Sequence, residues 1–133
     1  MKKIVVVVAG VLALSTLALA QDDDFKGWMK TIGGSTGAVK KSLESQNFDG
    51  AVTDARKLEG AFKDVAAYWE AKKDGAATEL AKTGQDAAAK VVAAASIKDS
   101  EQATMGLKMI QGTCKGCHEA HREKAADGSY KIK

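Results

Sequence analysis

The stretch GTCKGCHEAHR, residues 112 to 122, holds both cysteines and both histidines of a 133-residue chain. Thiols and imidazoles at this density bind a metal ion, cycle between dithiol and disulfide, or attach a haem. On a helix, Cys114, Cys117 and His118 share one side, because spacings of three and four residues bring side chains to the same face. A structural zinc ion needs four ligands arranged as a tetrahedron, usually gathered from two separated pairs. Cys114, Cys117, His118 and His121 on one continuous helix cannot surround an ion in that way. A thioredoxin-like pair needs a strand before it and a helix beginning at the motif, whereas this motif lies deep in a helical pattern. Cys-x-x-Cys-His is also the sequence of c-type haem attachment, in which both thiols add to haem vinyl groups and the histidine binds iron. A local Cys114–Cys117 disulfide competes with this reading and leaves His118 without a role.

The chain opens MKKIVVVVAGVLALSTLALAQDDD. Two lysines, an unbroken apolar run and a small-x-small ending at Ala18-Leu19-Ala20 describe a secretory signal peptide over residues 1–20, cleaved after Ala20. An uncleaved anchor is the alternative, since Ile4 to Ala20 is 17 residues, just enough for a thin bilayer. Residues 21–133 then form one compact domain. Removing Lys2 and Lys3 from the 20 basic residues leaves 18 against 17 acidic ones, a net +1. That balance gives no footprint for nucleic acid, and no second apolar run is long enough for a membrane span. The mature protein is expected to be soluble and exported to the periplasm.

The residues around the motif must be positioned by helices. The chain has no proline, strand-type alternation is absent, and apolar residues recur every three or four positions. A first stripe runs through Phe25, Trp28 or Met29, Ile32, Thr36, Val39 and Leu43. Asn47 is the N-cap expected for a second helix carrying Phe48, Val52, Ala55, Leu58, Phe62, Val65 and Trp69, which KKDGA ends. The third helix, about 78–95, is alanine-rich, with Leu80, Ala87, Val91 and Ala94 inward. The fourth starts near Ser96 or Asp99 and carries Ala103, Leu107, Ile110, Cys114, Cys117 and His121 in a four-three spacing. Gly128 is expected to stop it, leaving a short tail. Four helices joined by short turns form an antiparallel up-down-up-down four-helix bundle. Seven aromatics in 133 residues and much inward alanine leave a thin core, either because the helices approach closely or because a haem fills it.

These residues resemble the class II c-type cytochromes, which include cytochrome c-prime and its low-spin relatives. The resemblance runs from about Phe25 to Lys124 and is carried by CKGCHEAHR, with Arg122 in the family's basic position, and by WMKTIGGSTGAV, which is similar to the distal helix. It implies an exported four-helix bundle enclosing one covalent haem c bound through Cys114, Cys117 and His118, with Met29 at the distal position, and a homodimer through the first two helices. The chain departs from the family at Phe25, where an arginine is common, and in a shorter connection between helices two and three. Lys26, Lys30 and Arg122 are the candidates for the haem propionates.

A ligand trans to His118 must come from another helix. His121, Met105 and Met109 share its helix, the two methionines about 20 and 14 Å away along the axis at 1.5 Å per residue. Met1 leaves with the signal peptide, so Met29 is the remaining thioether. Either it packs in the core, as inward methionines usually do, or it binds iron, as its resemblance to the family's distal residue implies. With Met29 bound, the chain is an electron carrier between periplasmic or membrane-bound redox proteins, with Lys115 near a haem edge for docking. With Met29 only packing, it is a five-coordinate protein binding NO or CO. No paired carboxylates, nucleophile triad or phosphate loop suggests an enzyme.

Overall fold

The computed structural model describes the side chains of residues 21–133. The signal segment expected over residues 1–20 lies outside them. Four helices follow one another: α1 (Lys2–Glu44), α2 (Phe48–Ala71), α3 (Gly75–Ser96) and α4 (Ser100–His121). They form the expected all-α bundle, each helix packing on the next in the chain.

All three interhelix turns use one device. Gln46, Lys73 and Lys98 adopt positive φ of 57°, 59° and 59°, the left-handed conformation that lets the last carbonyls of a helix be capped by the residues that follow. In each turn the next residue back-bonds to the preceding helix, through Asn47 N to Ser42 O, Asp74 N to Trp69 O, and Asp99 N to Ala94 O. That same residue caps the next helix. The side-chain oxygens of Asn47, Asp74 and Asp99 accept from the amides of Gly50, Ala77 and Gln102 at 3.0, 2.9 and 3.0 Å, satisfying amides that a helix start leaves free.

Most of the inward stripes fall where the periodicity places them, whereas Phe48, Val52 and Leu80 are only half-buried. Phe25, Ile32, Val39 and Leu43 of α1, Leu58, Phe62, Val65 and Trp69 of α2, Val91 of α3, and Leu107 and Ile110 of α4 are buried. Alanine and glycine set the spacing of α2, α3 and α4. A Cβ on Gly84 would lie 2.5 Å from the Phe62 ring, and one on Gly106 would lie 2.8 Å from Val91 Cγ2 and 3.1 Å from the Ala87 carbonyl oxygen. The helices therefore approach more closely than larger side chains would allow.

α1 and α4 are different, since they touch only sparsely.

After α4 the structure departs from the expected tail. The helix ends at His121, and Arg122 is extended (φ −118°, ψ 128°). Strands β1 (Arg122–Lys124) and β2 (Tyr130–Ile132) pair antiparallel, with Arg122 opposite Ile132. Gly128 sits in the hairpin turn at φ 86°, where Asp127 Oδ1 accepts from the Ser129 amide and hydroxyl at 2.9 and 2.6 Å. It shapes this turn instead of stopping the helix. The Lys133 amide donates to the His121 carbonyl at 2.9 Å, folding the hairpin back against the end of α4.

Candidate functional site

The sparse contact between α1 and α4 opens into a cavity of about 620 Å³, within the size range of sites that hold small molecules and cofactors. Its walls come from three directions. α1 contributes Phe25, Met29, Ile32, Gly33 and Thr36, α2 contributes Phe62, Val65 and Trp69, and α4 contributes Cys114, Cys117, His118 and His121. Tyr130, Lys131 and Ile132 of the hairpin complete it. Every residue singled out from the sequence as a haem contact, namely Met29, Cys114, Cys117, His118 and Arg122, lines this one cavity, as do Lys26 and Lys30.

Cys114 and Cys117 are free thiols, half-buried one helical turn apart on α4. Burial pushes both thiols above the usual range, and at Cys117 the neighbouring Cys114 and Asp74 add to the effect. Protonated thiols are poor nucleophiles for disulfide exchange.

His118 is pulled the other way. Burial, and then the charge of Arg122, lower its pKa from the ordinary 6.5, so the ring is neutral at neutral pH, the form that ligates metals. The Arg122 guanidinium is 3.2 Å from His118 Nδ1 and 3.4 Å from the centre of the Tyr130 ring. Arginine only donates. Nδ1 is therefore the acceptor, and the proton of the neutral ring is on Nε2.

His121 faces a separate set of partners. Its ring lies against the Trp69 indole with centroids 4.5 Å apart, and its Nε2 is 3.5 Å from Asp74 Oδ2. Trp69 belongs to an aromatic group with Phe25 and Tyr68, at 5.7 and 5.2 Å. The Tyr68 hydroxyl donates to Asp22 at 2.7 Å, and burial, then Asp22, raise its pKa well above the usual phenol range. Trp28 packs on Phe25 and Tyr68, each at 6.3 Å, and is not among the cavity-lining residues.

Two polar atoms in the cavity wall, Thr36 Oγ1 and Trp69 Nε1, are buried with no hydrogen-bond partner among the described residues. They could serve a polar group on a bound molecule. Sequence reasoning found the α1 and α4 walls but not the hairpin or Asp74. The hairpin did leave a signal, the Asp127-Gly128 pair before the short Tyr130-Lys131-Ile132 run.

Among the described residues, no group of three or more His, Cys, Asp and Glu side chains could hold a metal ion, since those of the motif lie along one helix. No described helix is long and apolar enough to cross a membrane. A scan of protein-family models finds none that matches this chain, and a search of curated proteins likewise finds no match.

Proposed function

We propose that this chain is an exported electron carrier built around one covalently attached haem c. The observation that carries the reading is that Cys114, Cys117 and His118 of α4 and Met29 of α1 line the same cavity from different helices. The fit is chemical as well as spatial, since apolar walls, two neighbouring thiols, a neutral imidazole and a thioether are the donor set of such a cofactor. The bound haem supplies an iron that shuttles between Fe(II) and Fe(III).

Each residue then has a defined task. Cys114 and Cys117 hold the haem periphery through thioether bonds. His118 would bind the iron through Nε2 once the ring proton has moved to Nδ1 and Arg122 has released that atom. Met29 of α1 would supply the second protein ligand, and a thioether there would raise the potential. Phe25, Ile32, Phe62 and Val65 keep water from the ring. Lys26, Lys30 and Arg122 supply positive charge for the propionates, and Lys115 lies where an acidic redox partner in the periplasm or on its membrane would dock.

A second reading, a five-coordinate protein that binds NO or CO, is favoured by one observation. Gly33, one turn after Met29, lines the cavity, and a Cβ there would meet nothing within 4 Å. Absorption spectra of the oxidised and reduced protein separate the two. Low-spin haem in both states supports the carrier, whereas high-spin haem that takes up carbon monoxide at once supports the gas-binding protein.

A further inference from the structure

Trp69 stands at one end of the cavity, where its ring meets Phe25 of α1 edge-on at 5.7 Å and lies against His121 of α4 at 4.5 Å. The residue is 4% exposed, yet its Nε1 has no hydrogen-bond partner among the described residues. A buried donor with no acceptor costs about 1–3 kcal/mol, and native proteins rarely leave one without a reason. An apolar ring of the same shape would fill this corner without that cost.

The reason lies in what the cavity takes, and this inference rests on the haem reading above. In an iron tetrapyrrole the ring nitrogens are committed to the metal. The strong acceptors left are the carboxylates along one edge. Two cations, Lys26 and Arg122, also line the cavity, Lys26 3.8 Å from Asp23 and Arg122 3.2 Å from His118 Nδ1. Asp74 reaches the Trp69 end, but it is engaged by the Ala77 amide at 2.9 Å and faces His121 Nε2 at 3.5 Å. Cys114 and Cys117 lie seven and four residues before His121, about 10 and 6 Å along the axis, so the thiols that would hold the vinyl edge lie away from the Trp69–His121 end.

We propose that Trp69 Nε1–H donates to a haem carboxylate, with Lys26 and Arg122 supplying the countercharge, so that the carboxylate edge is held at the Phe25–Trp69–His121 end. Trp69 is then a cofactor-binding residue as well as part of the core.

The test is resonance Raman spectroscopy of the haem-loaded protein, comparing the parent with Trp69→Phe and Trp28→Phe. Trp69→Phe keeps an aromatic ring against His121 and removes the N–H. It should shift the propionate bending band and move the redox-linked titration of that carboxylate to higher pH, because a lost donor favours the protonated form. Trp28→Phe, in the same aromatic group but outside the cavity wall, should change neither. Should Trp69→Phe not fold, ultraviolet resonance Raman of the parent decides the matter, with an indole N–H band of Trp69 that is hydrogen-bonded in the loaded protein and free in the haem-free chain. A propionate band unchanged by Trp69→Phe, or an indole band unchanged by loading, overturns the proposal while the haem reading stands. A chain that takes up no haem at all overturns both.

Discussion

The Arg122 guanidinium lies 3.2 Å from His118 Nδ1, and because it can only donate, it holds the ring proton on Nε2. The two residues are one turn apart on either side of the α4 terminus. Arg122 therefore fixes the tautomer of His118 and, after burial, is the second cause of its lowered pKa.

In the haem-free chain, Arg122→Met should raise the His118 pKa without restoring it fully, because burial, the larger cause, remains. Proton NMR of the imidazole follows this directly. The depressed pKa also has a stability consequence. Its contribution is fully present above the unfolded value of about 6.5 and is lost as pH falls below it. Urea unfolding of the haem-free chain should thus weaken from pH 7 to pH 5, and His118→Gln should flatten that slope. An unaltered slope would show that His118 is not the group responsible.

Met29→Ala tests the distal face. The oxidised haem should turn high-spin, lose its weak near-red methionine-to-iron band and fall in potential. Carbon monoxide should bind at once, whereas in the parent the thioether must first leave. Spectra identical to the parent's would leave Met29 as cavity lining only.

Close packing of α2 and α3 depends on Gly84, where a Cβ would fall 2.5 Å from the Phe62 ring. Gly84→Ala should destabilise the protein by about 1–3 kcal/mol through overpacking, and the Phe62 ring would be driven against the cavity it lines. Chemical denaturation measures the first effect. No loss of stability would mean that Phe62 moves aside freely.

Lys98 offers the opposite change. It holds φ 59° at the end of α3, a conformation that costs a residue with a Cβ about 1–2 kcal/mol and that glycine adopts freely. Lys98→Gly should raise the melting temperature by a few degrees, with part of the gain lost to the greater freedom of glycine in the unfolded chain, and should leave the haem spectrum unchanged.

Much of this architecture was legible in the sequence. Asn47 announces its helix as an N-cap, the start near Asp99 marks the fourth helix, and the four-three spacing through Ile110, Cys114 and His121 puts the chemistry on one face. The hairpin was not legible from helical periodicity, because three-residue strands are too short to show alternation and Gly128 reads equally as a helix stop or a turn. Alanine was ambiguous for a physical reason. The same small side chains that let α2, α3 and α4 approach leave α1 and α4 apart, and only the packed structure separates the two effects. Trp69 reads from sequence as an ordinary core residue, since nothing in a helical stripe reveals whether an indole N–H has found an acceptor.

The most direct measurement is the intact mass of the denatured protein, purified from a host that attaches haem to exported proteins. The mass expected is that of residues 21–133 plus one haem, retained through acid-acetone extraction because Cys114 and Cys117 hold it covalently. A mass equal to the bare polypeptide, with Cys114 and Cys117 joined as a disulfide, would contradict it.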